Sequence, residues 1–328
     1  MTLTLFASAR YFQAAEHQLS SETGEVRLTS VQARLCQCFY LLSQSRVNHC
    51  WSLFGTTAHL ILALGIHRKR RLEPSNGTDL IELECRKRVF WCAYGLDNYL
   101  SAALGRPRTF HDDDIDQVGY AKCWTVDVLM LSIQDLPICV NDADLTAQNI
   151  DPGNSKAQSV MMAAVAHNTY DPHVLHQYSS NIQRLSQIIS LILRDLYAIR
   201  SPSLATRVTL SAKYSLQLTE WRRGLSKFLD ADGFDPSLLI PLFQRQRNVL
   251  NLAYYHALIL VHRPFLLSNF ASLNNRNSRN RGAPGTPDMN KNVGECLEAA
   301  TNIAVIVNER KSTYDRWQGM ATKSMSGW

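Results

Sequence analysis

The 328-residue chain contains no CxxC pair, no HExxH, no GxSxG, no P-loop and no GxGxxG. Cysteine-built zinc sites, zinc peptidases, elbow-type serine hydrolases and nucleotide-binding loops each need one of those spellings. With none of them present, the chain is expected not to be an enzyme. Charge is also scarce. Asp, Glu, Lys and Arg make up 19% of the residues, where about a quarter is usual. Hydrophobic residues make up 45%, a balance that suits a buried globular body better than a disordered one. No run of about 18 apolar residues is uninterrupted; the nearest, Trp51 to Ile66, is broken by Thr56, Thr57 and His59. No membrane partner is therefore expected. The opening MTLTLFASARYFQAAEHQ lacks the charged, apolar and small-residue succession of a secretory signal.

Other quantities exclude by being small. Eight cysteines are too few for a disulfide scaffold. Cys36, Cys38, Cys50, Cys92 and Cys296 fall in helix-like apolar patterns, where a thiol serves as a small hydrophobe. A reducing, intracellular setting follows. A net charge of +6 falls short of a chain that coats nucleic acid.

Helical periodicity is present almost throughout, and strand alternation is hard to find. A first helix is under way by Leu5 and carries Tyr11 or Phe12 and Ala15. Thr29 or Ser30 caps a second, with Val31, Leu35, Cys38, Phe39 and Leu42 on one face. Asn48 caps a third, bearing Trp51, Phe54, Ala58, Ile61 and Leu62 and stopping at Gly65. Asp79 opens a long helix with Leu83, Val89, Phe90, Ala93, Leu96 and Leu100 inward, ending at Gly105-Arg106-Pro107.

From 119 to 176 the pattern is irregular, with one short helix near Ser159 to His167. Periodicity resumes at Ile182, Leu185, Ile188, Ile189, Ile192 and Leu196 and continues through Tyr214, Leu218, Trp221, Leu225 and Phe228. A helix from Ser237 to His262 bears Leu242, Val249, Leu252, His256 and Leu260. Residues 274–292 read as a flexible polar loop. A last helix bears Val293, Leu297, Ala300, Ala304 and Val307, before a disordered or truncated tail at 311–328. The expected fold is all-α: a single irregular multi-helix domain of antiparallel packed helices over 1–310.

Two charged runs call for a chemical reading. Asp112, Asp113 and Asp116 spell the DDxxD by which all-helical isoprenoid synthases hold magnesium on a diphosphate. Yet the run follows Arg-Pro-Arg after a helix-ending glycine, which places it in a turn. Asn141-Asp142 also lacks the serine and glutamate of the second motif such enzymes use. The other reading is an ion-paired turn served by Arg86, Lys87, Arg88, Arg106 and Arg108. His67-Arg68-Lys69-Arg70-Arg71 reads as a solvated helix end or a nuclear-import signal. His59, His256 and His262 are expected to be satisfied interior or boundary residues. Arg106, Asp113, Asp116 and Arg263 are the expected polar core that fixes how the helices meet.

Several stretches, in order, resemble the middle homology region of fungal zinc-cluster transcription factors, the fungal-specific transcription factor domain. They are Ala9 to Ala15, Thr29 to Ser43, and Trp51 to Leu60 with Ala63 to Arg68. The most specific runs Arg86-Lys87-Arg88-Val89-Phe90-Trp91-Cys92-Ala93-Tyr94, Leu96-Asp97, Leu104-Gly105-Arg106-Pro107 and Asp112 to Asp116. Tyr254 to Leu266, holding His262-Arg263-Pro264-Phe265-Leu266, and Cys296 to Ala300 complete the series. The resemblance implies a regulatory domain controlling RNA polymerase II transcription in the nucleus. It marks Arg88, Trp91, Asp97, Gly105, Arg106, Pro107, Asp113, Asp114, Asp116, His262, Arg263 and Pro264 as structural motif residues. It also implies DNA contact only through an amino-terminal zinc cluster that this sequence does not spell, so no cofactor is expected in this chain. A small-molecule effector, a co-regulator protein or a second copy in a homodimer are the expected partners.

Overall fold

The computed structural model describes residues 2–68, 80–116, 178–200, 202–229, 241–275 and 290–308. The expectations for Asp79, for 119–176, for a helix start at Ser237, for most of the polar loop and for the tail lie outside the described residues. Among the described residues there is no strand, so the all-α reading holds. They form two compact units, one reaching Gln183 and the other beginning at Arg184.

The first unit is built on α1 (Thr2–Ser20), α2 (Leu28–Ser43), α3 (Val47–Ala63) and α4 (Leu80–Leu104). Val31, Leu35, Cys38 and Leu41 recur at helical spacing along α2 and are buried against Cys50, Phe54, Ala58 and Ile61 of α3. Phe39, expected inward, is exposed, and Leu41 takes the inner position. The two helices form a hairpin closed by a Schellman motif. Ser45 takes the left-handed conformation (φ 58°), Ser45 N–H bonds Leu42 O at 2.9 Å and Arg46 N–H bonds Leu41 O at 2.9 Å.

The expected caps are displaced. α2 begins after Arg27 and α3 after Arg46, neither with a side-chain cap. The Ser30 hydroxyl is instead bonded to Glu22, and the Asn48 carboxamide to Arg106. Phe90, Ala93, Leu96 and Leu100 of α4 close the core. Arg86 donates to Leu64 O at 2.9 Å, covering a carbonyl that the end of α3 leaves open.

The second unit holds the rest of α5 (Tyr178–Leu196), then α6 (Leu204–Gly224), the short α7 (Ser226–Leu229), α8 (Pro241–Asn275) and α9 (290–308). The periodicity read as continuing from Ile182 to Phe228 is broken at 197–203, where Pro202 precedes the Ser203 cap of α6; Ser203 Oγ accepts from Thr206 N–H. Trp221 stacks on Tyr254 with centroids 6.0 Å apart, and Arg222 lies over the same tyrosine at 4.8 Å while bonding Asn251.

α8 is longer than expected and passes through Pro264. A proline in a helix interior supplies no N–H to the carbonyl four residues back. Here that carbonyl belongs to Leu260, and the Tyr197 hydroxyl donates to it at 2.9 Å, which lets the helix continue. Two faces differ from expectation. Val249 is exposed, and Leu250, Tyr254, Ala257, Val261 and Phe265 form the buried stripe of α8. On α9, Leu297 and Val307 are exposed, and Asn292, Cys296 and Ala299 point inward. Among the described residues, no helix is long and apolar enough to cross a membrane.

Candidate functional site

The corner that follows α4 holds most of the residues singled out by motif. Gly105 ends the helix in the left-handed conformation (φ 65°), with its own N–H and that of Arg106 both bonded to Ser101 O. Pro107 cannot continue a helix, so the chain turns back. Arg106 places its guanidinium 4.2 Å over the Trp51 ring and donates to Asn48 Oδ1 at 2.8 Å. Both residues lie in the first turns of α3, so Arg106 fixes the corner to that helix.

Asp97 fixes the corner to α4. Its carboxylate accepts the Thr109 N–H at 3.1 and 2.9 Å and the Phe110 N–H at 2.9 Å. Burial pushes the Asp97 carboxyl above the ordinary range, opposed by these main-chain bonds and by Arg108. The bonds seat Phe110 edge-on against Phe54 and Phe90, where burying the ring contributes about 2 kcal/mol. Trp91 packs edge-on against Phe90 and Tyr94. Arg88 pairs with the buried Glu84 one turn back at 3.0 Å.

Within the acidic run, Asp112 is tied to the corner. Asp112 accepts the Tyr94 hydroxyl at 2.6 Å and meets Arg108 at 3.4 Å. Asp113, Asp114 and Asp116 are exposed, with the buried Ile115 set among them. Among the described residues no group of three or more His, Cys, Asp or Glu is placed to hold a metal. Asp112 is bonded within the turn, and nothing supports the magnesium reading of Asp112, Asp113 and Asp116. The expected polar core also differs. Asp113, Asp116 and Arg263 are all exposed, and Arg106 is half-buried; the buried anchor is Asp97. A carboxylate three residues past Tyr94 in a motif marks the position, but main-chain partners leave no trace in the sequence.

In the second unit His262 is buried. Its Nδ1 lies 2.7 Å from Asn292 Oδ1 and its Nε2 3.2 Å from the Ser215 hydroxyl. Ser211 also reaches Asn292 Oδ1, at 3.2 Å. Burial pushes the His262 imidazole below its ordinary value, opposed by the Asn292 bond. Asn292, Ser211 and Ser215 carried no signal in sequence, since a polar residue at the rim of a polar stretch reads as solvated. His59 is exposed, and His256 is half-buried with its imidazole likewise pushed down by burial.

The profile of the fungal specific transcription factor domain matches residues 2–230. "Activator of stress genes 1" of Saccharomyces cerevisiae is 29% identical over 259 residues, 78% of this chain and 23% of that protein. "Activator of stress genes protein 1" of Candida albicans is 24% identical over 278 residues, covering 78% and 25%. "Probable transcription factor FUP6" of Fusarium proliferatum is 24% identical over 304 residues, covering 86% and 39%. The chain thus spans a quarter to two-fifths of the length of these relatives. No solved structure matches. With its profile matched over more than two-thirds of its length, the chain belongs to the fungal specific transcription factor domain family.

Proposed function

We propose that the chain is the regulatory part of a fungal transcription factor, controlling RNA polymerase II transcription in the nucleus. The family match over 2–230 carries this reading, and relatives named as activators and transcription factors support it. The match crosses from the first compact unit into the second, which favours treating 1–310 as one regulatory domain. Asp97, Arg106, Arg108 and Asp112 brace the corner against its helices, which fits a non-catalytic reading. DNA recognition belongs to a zinc-cluster module outside this chain, and no cofactor is assigned to the chain itself. A small molecule, a co-regulator or a second copy would act by favouring one conformation.

A reporter assay tests the reading. The chain is fused to an unrelated DNA-binding module and placed over a promoter carrying that module's sites. The expected result is reporter output several-fold above or below that of the module alone. Equal output across growth conditions, with the fusion present in the nucleus, would overturn the proposal. The unfused chain should bind duplex DNA weakly and with a strong salt dependence; a nanomolar, sequence-specific complex at physiological salt would count against a separate DNA-reading module.

A further inference from the structure

α3 has an outer face unlike that of an ordinary surface helix. Its inner side, with Cys50, Phe54, Ala58 and Ile61, belongs to the core. Opposite lie Trp51, Gly55, His59 and Leu62, of which Trp51 and Leu62 are exposed large hydrophobics. Surface helices carry charge on that side, yet no Asp, Glu, Lys or Arg occurs from 47 to 63. Gly55 is a second departure. Glycine in a helix interior is destabilising relative to alanine. Nothing within the chain requires it here: its φ is not positive, and a Cβ would meet nothing within 4 Å. The notch suits a backbone that approaches from outside.

Charge is ordered along the same edge. The strap after the corner runs beside α3 from its start to its end. Arg106 lies on Trp51 and Asn48 in the first turns, Phe110 packs on Phe54 at the middle, and the charges of Asp114 and Asp116 reach His67 just past the end. At the start stand Arg46 and Arg106, beside a helix terminus with no side-chain cap. At the finish the exposed Asp113 and Asp114 outnumber the exposed Arg68. The helix dipole has the same sense, positive at the start and negative at the finish.

A partner of one charge sign would be repelled at one end of this edge, whereas an antiparallel second copy is attracted at both. Gly55 is the midpoint of Val47–Ala63, with eight residues on each side. A two-fold axis through it lays Trp51 of each copy against His59 and Leu62 of the other. The same axis sets Arg46 and Arg106 of each copy beside Asp113 and Asp114 of the other. Such a contact is self-complementary, as a two-fold interface must be, and Trp and Arg are the side chains that most often dominate binding.

We propose that the outer face of α3 is a docking surface for a second copy of this chain, the two helices crossing antiparallel at Gly55. The second copy is then the partner of the regulatory domain proposed above, a reading on which this one rests. One helix and one strap from each copy make a small interface of the weak, transient class, and its ionic part weakens as salt rises.

Sedimentation equilibrium on the isolated full chain tests the contact without a reporter, so its failure is distinct from failure of the regulatory reading. A concentration-dependent monomer–dimer equilibrium is expected, tighter at low salt. Gly55→Leu should leave only monomer, with thermal unfolding of the dilute protein at or above that of wild type. Arg46→Glu and Asp114→Arg should each weaken the dimer about tenfold, and both changes in one chain should restore it. Should the leucine variant unfold, the charge exchange decides alone. A wild-type chain that stays monomeric throughout would overturn the proposal. So would a folded Gly55→Leu chain that dimerises like wild type, or a double variant no tighter than either single one.

Discussion

The main-chain N–H of Phe110 donates to Asp97 Oδ2 at 2.9 Å, across thirteen positions of sequence. Together with the two contacts from Thr109, this bond makes one carboxylate the acceptor for the start of the strap that follows the corner. In Asp97→Ala the two amides are left buried without acceptors, a loss of about 3 kcal/mol. Asp97→Asn, which keeps one acceptor oxygen, should lose less. Asp113→Lys, at an exposed position, should stay within about 0.5 kcal/mol. Urea unfolding at constant m-value ranks the three; equal losses for Asp97→Ala and Asp113→Lys would remove Asp97 from this role.

Gly105 isolates a backbone effect. Its φ is 65°, and a Cβ placed on it would meet nothing within 4 Å. Gly105→Ala should therefore lower stability by about 1 kcal/mol through left-handed strain alone. Gly105→Asn should cost less, since asparagine tolerates that conformation. Thermal unfolding that places the alanine variant at or above wild type would show that the corner does not need the positive φ.

The register of α2 is open to a chemical check. Cys36 is exposed and Cys38 is buried, as is Cys50 facing it from α3. Hydrogen bonding to Cys50, with burial added, pushes the Cys38 thiol well up, which further slows its reaction. Brief treatment with N-ethylmaleimide followed by peptide mapping should modify Cys36 and spare Cys38 and Cys50 until the protein is unfolded. Modification of Cys38 as fast as Cys36 would mean that α2 is rotated from the described register.

How well the sequence could be read depended on contrast. On α2 and α3 the apolar residues are separated by polar ones, and Val31, Leu35, Cys38, Phe54, Ala58 and Ile61 could be assigned to the core from spacing alone. α8 offers no such contrast, because Ala257 through Val261 is continuously apolar; the true stripe through Leu250, Tyr254 and Val261 is one of several that fit. On α9 the bulky residues suggested the inner face, whereas packing placed Cys296 and Ala299 there. The Gly105-Arg106-Pro107 stop was legible because a local φ demands it. The anchors were not. Asp97 bonds main-chain N–H groups that every non-proline residue carries, and Asn292 meets its partners only after three helices have come together.

Pro264 gives the longest helix a joint whose stiffness is controlled from elsewhere. The missing rung at Leu260 is supplied by the Tyr197 hydroxyl, sixty-three positions earlier in the chain. While the end of α5 stays in place, α8 transmits a push along its whole length as one rod. Withdraw that hydroxyl and the same proline becomes a hinge, with the part of α8 beyond it able to swing on an unclosed turn. Tyr197 thus acts as a bracket on the rod, and any event that shifts the 197–203 link changes the mechanics of a helix it does not belong to.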